Sequence, residues 1–247
     1  MRLVDRNAQT NRWRQTAALE KVVFSFGAIV LALCSASWIV QMSIIVILLT
    51  TMRLGAGIPL RDIGLAASVP VGFILAGTIA QVMTVEFASF VPRVGISAAA
   101  FAGAGFIALR SLAGVMGLLF LALTTPLTDL LRLLRRTGLS AELGDIALMM
   151  FRFVWLTLDC LEGTRRSQAN RLGFVDYRRS LRSSGLLLAN LLPRVLSRAR
   201  RLEAGMAARG YTGELRFVVR ERPAHVGRLA ASAALFFGLG AAGMVLV

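Results

Sequence analysis

Residues 22–52 carry no charge, an apolar run of 31 positions. A bilayer core takes about 20 helical residues, so the run is too long for one upright helix. The interruption Ser35-Ala36-Ser37-Trp38 suits a tight turn at a membrane surface, with the tryptophan at headgroup depth. The pattern therefore predicts two helices, over 20–35 and 38–53. A loop follows, with a turn signal at Pro59 and two arginines, Arg53 and Arg61. Residues 63–85 are uncharged again and predict a third span. Pro70 does not forbid it, because membrane helices tolerate proline better than soluble ones. After a loop from Glu86 to Arg93, residues 94–125 are apolar apart from Arg110 and predict a long fourth span. A fifth is predicted over the 19 uncharged residues 229–247.

Between the last two spans the pattern turns amphipathic. Pro126 and Asp129 open a short helix over 127–136, closed at Thr137-Gly138. Residues 142–171 predict a longer one, in which Asp145, Arg152 and Asp159 recur every seventh position as one polar stripe on an apolar cylinder. Its five charges (Glu142, Asp145, Arg152, Asp159, Glu162) argue against a span, at roughly 2.5–3.5 kcal/mol for each one near the bilayer centre. A helix in or under the interface fits better. A third helix is predicted over 178–209. There Leu181, Gly185, Leu188, Leu192, Val195, Ala199, Leu202 and Met206 alternate by four and three, a heptad seam that packs along another helix. Pro193 predicts a bend near 189–193. Arg209 takes the next seam position, and Gly210 is a natural left-handed stop.

Composition sharpens this picture. Of 247 residues 56% are hydrophobic and 17% charged, with a mean hydropathy of +0.69. That is too apolar for a soluble domain of this size. The net charge is nevertheless +15. Lys21 is the one lysine, and no phosphate-binding loop surrounds it, so ATP hydrolysis through a P-loop of its own is excluded. One histidine, His225, and two distant cysteines, Cys34 and Cys160, are too few for a zinc or haem site. Residues 1–21 lack the short apolar core of a signal peptide. Their five basic residues place the amino end on the cytoplasmic side. With five spans, residues 126–228 then also lie inside, and residues 132–228 hold 19 arginines against eight carboxylates, a net +11. The expected organisation is a cytoplasmic tail (1–21), a four-span membrane domain (22–125), a cytoplasmic helical module (126–228) and a terminal span (229–247). The fold class is an all-α integral membrane protein with about five transmembrane helices plus long amphipathic cytoplasmic helices.

Met206-Ala207-Ala208-Arg209-Gly210-Tyr211 resembles the second Ala-Arg-Gly motif of the transmembrane T component of energy-coupling-factor (ECF) transporters, nearest to the cobalt branch, the CbiQ family. Arg110-Ser111-Leu112-Ala113-Gly114-Val115, Leu123-Thr124-Thr125-Pro126 and Leu196-Ser197-Arg198-Ala199 agree, and the resemblance runs from about residue 20 to 216. It implies a non-catalytic scaffold of an ABC-type importer. Long coupling helices would dock by their motif-bearing ends on two ATP-binding cassette ATPases and hold a membrane-embedded substrate-binding S component, CbiM-like, with or without a small CbiN-like subunit. ATP would be bound by the ATPases and the transported cobalt ion by the S component, leaving this chain without a cofactor. Ala208, Arg209 and Gly210 carry over as one docking point. The first motif is less faithful: in Gln168-Ala169-Asn170-Arg171-Leu172-Gly173 a leucine separates arginine from glycine, so Ala169, Arg171 and Gly173 match approximately. The implied location is the bacterial plasma (inner) membrane, multi-pass, with the N-terminus cytoplasmic.

Each feature has a plainer alternative. Arg171 could be an ordinary helix-end cap, and the arginine-rich block reports orientation and anionic lipid rather than nucleic acid. Arg110 is expected near the inner interface or in a protein contact, Trp13 and Trp38 as interfacial anchors, Trp155 as core, and His225 as a solvated loop residue. Nickel competes with cobalt as cargo, ahead of a vitamin such as biotin. A membrane transferase would need paired aspartates for magnesium and diphosphate, and only Asp159 with Glu162 approaches that. A conventional permease would need polar residues recurring along its spans, which offer little beyond Ser, Thr and Gln81.

Overall fold

The computed structural model describes residues 2–82, 84–86, 93–95, 98–136, 138, 140–211 and 225–245. Nine α-helices account for nearly all of them: α1 (Arg2–Thr10), α2 (Ala18–Cys34), α3 (Trp38–Thr50), α4 (Leu60–Val82), α5 (Ala98–Thr124), α6 (Leu127–Arg136), α7 (Ala141–Asn170), α8 (Tyr177–Ala207) and α9 (Val226–Val245). A short antiparallel ribbon pairs β1 (Thr84–Glu86) with β2 (Arg93–Gly95), Val85 opposite Val94. The loop expected between the third and fourth spans thus contains a hairpin, while the class remains all-α. Among the described residues, four helical segments are long and apolar enough to cross a bilayer: Trp38–Gly55, Leu60–Val82, Phe101–Thr124 and Val226–Gly243. The first predicted span is shorter. At 17 residues α2 is ~25 Å long by its 1.5 Å rise, and Glu20 and Lys21 take up its first turn.

The chain divides into two compact units, residues 1–130 with 220–247, and residues 131–219. In the first, α5 is the hub: α1, α2, α3 and α4 lie against it, and α9 lies on α2. Phe120, Leu123, Ile44, Leu48 and Met52 fill the shared core. Close approach comes from small residues. A Cβ on Gly117 would stand 2.7 Å from Ile29, and Ser25 Oγ donates to the Gly117 carbonyl at 2.7 Å.

The turn at 35–37 falls where the polar interruption placed it. Gln41, fully buried, explains why it holds: its Nε2 donates to the Ala32 carbonyl at 2.7 Å and to that of Ser35 at 3.2 Å, closing the end of α2. Arg110 Nε donates to the same Ala32 carbonyl at 3.1 Å. Arg110 is therefore in a protein contact, at the carboxyl end of α2, as one of its two expected placements has it.

Residues 2–15, expected as part of a tail, are built into this unit as α1 and a 3₁₀ turn, Arg12–Gln15. Asn7 Nδ2 donates to Asp62 at 2.8 Å, and Asn11 Nδ2 to the carbonyls of Leu123 (3.3 Å) and Thr124 (3.1 Å). Lys21, only 2% exposed, donates through Nζ to the Thr124 carbonyl at 2.8 Å. The carboxyl end of α5 is thereby capped by an amide and a cation, as unsatisfied carbonyls and the helix dipole favour. Trp13 is half-buried: it packs edge-on against Phe120, 5.9 Å between ring centres, and over Gly55. Trp38 does face outward and touches Phe106. His225 is exposed, and its backbone N–H donates to Glu20 at 2.8 Å, with Arg228 also facing that carboxylate.

The second unit is an antiparallel hairpin of α7 and α8, with the end of α6 beside it. Ser140 Oγ accepts the Leu143 N–H as the α7 cap, and Arg135 pairs with the nearly buried Asp145 at 2.9 Å, its stem over Gly144. Ser183 Oγ donates to the Gly173 carbonyl at 2.8 Å, and Arg194 Nη1 to Thr164 Oγ1 at 3.1 Å. Only the second half of the predicted seam faces inward. Val195, Ala199, Leu202 and Met206 are half-buried, whereas Leu181, Leu188 and Leu192 are exposed and Leu187 is buried instead. A strict heptad drifts about 20° per repeat around a straight helix, so a seam that fits the last turns of α8 leaves the partner by its first turns.

Candidate functional site

The sequence-predicted site residues fall at the two helix ends of this hairpin. At the end of α7, Arg171 N–H bonds to the Gln168 carbonyl (3.1 Å), Leu172 N–H to that of Ala169 (3.0 Å) and Gly173 N–H again to Gln168 (2.9 Å). At the end of α8, Arg209 N–H bonds to the Met206 carbonyl (3.0 Å), Gly210 N–H to that of Ala207 (3.1 Å) and Tyr211 N–H again to Met206 (3.1 Å). These two sets are the same Schellman motif, residue for residue. The left-handed position is Leu172 (φ 57°) in one and Gly210 (φ 76°) in the other.

Superposing the motifs by their hydrogen bonds makes Arg171 and Arg209 equivalent, each the last residue before the left-handed turn. It also corrects the register of the flanking residues. Gly210 corresponds to Leu172 rather than to Gly173, Ala208 to Asn170, and Ala169 to Ala207. Gly173 is glycine for another reason. A Cβ there would stand 2.6 Å from Ser183 Oγ and 2.9 Å from the Gln168 carbonyl, so a side chain would push α8 away from the turn.

Both arginine side chains are exposed, and neither has a hydrogen-bond or ion-pair partner among the described residues. A guanidinium beside the last carbonyls of a helix is favoured by the dipole, and its outer fork stays free for a carboxylate or for backbone carbonyls. The first motif has a second unspent group: Gln168 Oε1 is buried and accepts no hydrogen bond among the described residues. No sequence signal marks that atom. In the antiparallel hairpin the two motifs lie at opposite ends of α8, whose 31 residues span ~46 Å at 1.5 Å each. The structure thus makes the arginines alike without bringing them together. Ala169, Ala208 and Gly210 are exposed beside them.

Among the described residues no group of three His, Cys, Asp or Glu side chains is placed to hold a metal ion.

Comparison with known proteins adds to this geometry. Residues 10–219 match the family model CbiQ, described as a cobalt transport protein. The chain is 39% identical over 221 residues to the cobalt transport protein CbiQ of Rhodobacter capsulatus, covering 90% of this chain and 88% of that protein. It is 26% identical over 228 residues to an uncharacterized protein of Methanocaldococcus jannaschii, covering 87% and 83%. It is also 26% identical over 260 residues to a putative fused cobalt transport protein CbiMQ of Methanocorpusculum labreanum, where 99% of this chain aligns with 43% of the longer protein.

Proposed function

The chain belongs to the CbiQ family of cobalt transport proteins, and on that premise we propose that it is the coupling subunit of an ECF-type cobalt importer. It transmits motion from two ATPase subunits to a CbiM-like substrate-binding component in the membrane. The observation that carries the reading is the pair of equivalent caps. Two helices end in the same turn, each offers an exposed arginine without a partner among the described residues, and they stand at opposite ends of one ~46 Å helix. Two like contacts at a fixed separation are what a lever held by two like motors requires. A Schellman cap also fixes the arginine's backbone, so force on the guanidinium reaches the helix axis instead of being lost in a frayed end.

The rest of the hairpin supports this assignment. Leu181, Leu188 and Leu192 of α8, and Val154 of α7, are exposed on a pair of helices with almost no buried core of their own among the described residues. Apolar surface of that kind calls for a partner. The fused CbiMQ relative, which by its name joins two such proteins in one chain, supports a CbiM-like component as that partner. The chain is a multi-pass membrane protein. The arginine bias supports a bacterial plasma-membrane orientation with the N-terminus and the hairpin cytoplasmic. ATP and cobalt are bound by the partners, cobalt being the cargo.

Arg209→Glu tests the reading. Co-expressed with the ATPases and purified by a tag on this chain, the variant should reach the membrane normally and recover less than about a tenth of the wild-type ATPase, since a desolvated charge contact typically costs 2 kcal/mol or more. Undiminished recovery would falsify docking at this arginine.

A further inference from the structure

Between the first turns of α7 and the last turns of α8 lies an open groove of about 460 Å³. Met149, Met150, Phe153, Leu202 and Met206 form its apolar wall, and Tyr211, the residue that closes the second cap, stands at its edge. Its charged lining is acidic throughout: Glu142, Asp145 and Glu203. That runs against the hairpin as a whole, since residues 141–211 carry 12 arginines and six carboxylates, yet none of those arginines lines the groove.

Asp145 is neutralised by Arg135. Glu142 and Glu203 are exposed and have no partner among the described residues. Glu142 has a local explanation, because a carboxylate in the first turn of a helix interacts well with the dipole. Glu203 has none. It is the one carboxylate of α8 and lies four residues from its carboxyl end, where the dipole disfavours an anion.

We propose that this groove receives an apolar side chain with a neighbouring cation, an arginine or lysine, from the ATPase subunit that Arg209 contacts. This rests on the docking reading above and makes the contact reciprocal. A guanidinium leaves the hairpin at residue 209, and an apolar–basic knob enters it one turn earlier. The methionines suit such a pocket, because unbranched thioethers re-pack around an incoming side chain. Glu203 and Glu142 at the rim meet the cation and set its register, the usual role of a rim charge pair.

The test compares three variants in the full complex, purified by a tag on this chain. In Glu142→Arg/Glu203→Arg the rim charge is reversed on exposed positions. In Ala199→Phe the groove is filled. Glu162→Arg reverses a carboxylate outside it. The first two should each lower ATPase recovery about tenfold, a charge-reversal effect that weakens as salt is raised, while Glu162→Arg keeps it. If both groove variants keep the ATPase while Arg209→Glu loses it, the groove is overturned and the docking reading stands. If Arg209→Glu keeps it, both fall. Loss of the membrane-embedded substrate-binding component in the groove variants, with ATPase retained, would give the groove to that component and overturn the proposal.

Discussion

The membrane unit and the α7–α8 hairpin use similar side chains to opposite ends. In the membrane unit Lys21, Ser25, Gln41 and Asp62 are all buried, and each makes a hydrogen bond to another part of the unit. In the hairpin only Gly144, Asp145 and Leu187 are buried among the described residues, and its arginines point outward. The first region turns most of its buried polar groups on itself, with Asn11 Oδ1 and Gln41 Oε1 the exceptions among the described residues. The second keeps its shape through helix-end chemistry, with Schellman caps and the Ser183 and Arg194 ties, and leaves its apolar and cationic faces open. A buried polar network makes one arrangement unique. An open hairpin leaves apolar surface for the partners proposed above.

The comparison can be broken most directly at Lys21. If the membrane unit is pinned by its polar contacts, Lys21→Met removes the cation from the end of α5 and should lower stability by about 2 kcal/mol, in the range for a hydrogen bond to a charged group. The check is thermal unfolding of the detergent-purified chain followed by circular dichroism. An unchanged midpoint would mean that Asn11 alone satisfies the Thr124 carbonyl and that the pin is redundant.

Most of this architecture was legible in the sequence, for physical reasons that also explain the gaps. Spans and hairpin helices begin and end within a few residues of their predicted bounds, because uncharged runs, Pro126 and Gly210 leave little choice. The α1 helix was hidden by its charges: Arg2, Asp5 and Arg6 read as a solvated tail, and only Asn7 and Asn11 meeting distant partners give it a place. Lys21 could not be assigned from pattern, since its acceptor is a backbone carbonyl 103 positions away. At the site, Gly210 announces its left-handed turn. Leucine is not expected in that conformation, so the likeness of Arg171 to Arg209 shows only in the hydrogen bonds. The acidic groove was illegible because its walls come from opposite ends of the hairpin sequence.

Leu172 gives a smaller and opposite effect. A non-glycine residue in the left-handed region is strained by roughly 1–2 kcal/mol, and the side chain is exposed. Leu172→Gly removes that strain, and the greater freedom of glycine in the unfolded chain takes back about 0.5–1 kcal/mol. A net gain of about 0.5–1 kcal/mol should appear as a slightly higher unfolding midpoint, with ATPase recovery unchanged because Arg171 keeps its position. A loss of stability would show that the leucine makes contacts worth more than its strain.

The smallest expected effect on the isolated chain is the sharpest test of the contrast. Leu188 is 63% exposed and its neighbour Leu187 is 8% exposed, so two adjacent leucines on one helix stand on opposite sides of the distinction. Replacing a buried leucine with serine opens a cavity and buries a hydroxyl, and Leu187→Ser should loosen the hairpin. Leu188→Ser removes nothing that the isolated hairpin has buried, so its unfolding midpoint should move by less than about 0.5 kcal/mol, as exposed substitutions usually do. The same change removes a methyl-rich contact from the face left open for a partner. Co-purification of the CbiM-like component should therefore fall while the chain itself stays folded. A stable variant with a weakened complex would mean that the apolar face of α8 is spent between subunits. A destabilised variant with an intact complex would mean that the hairpin buries Leu188 for itself, and the two regions would then differ in degree rather than in kind.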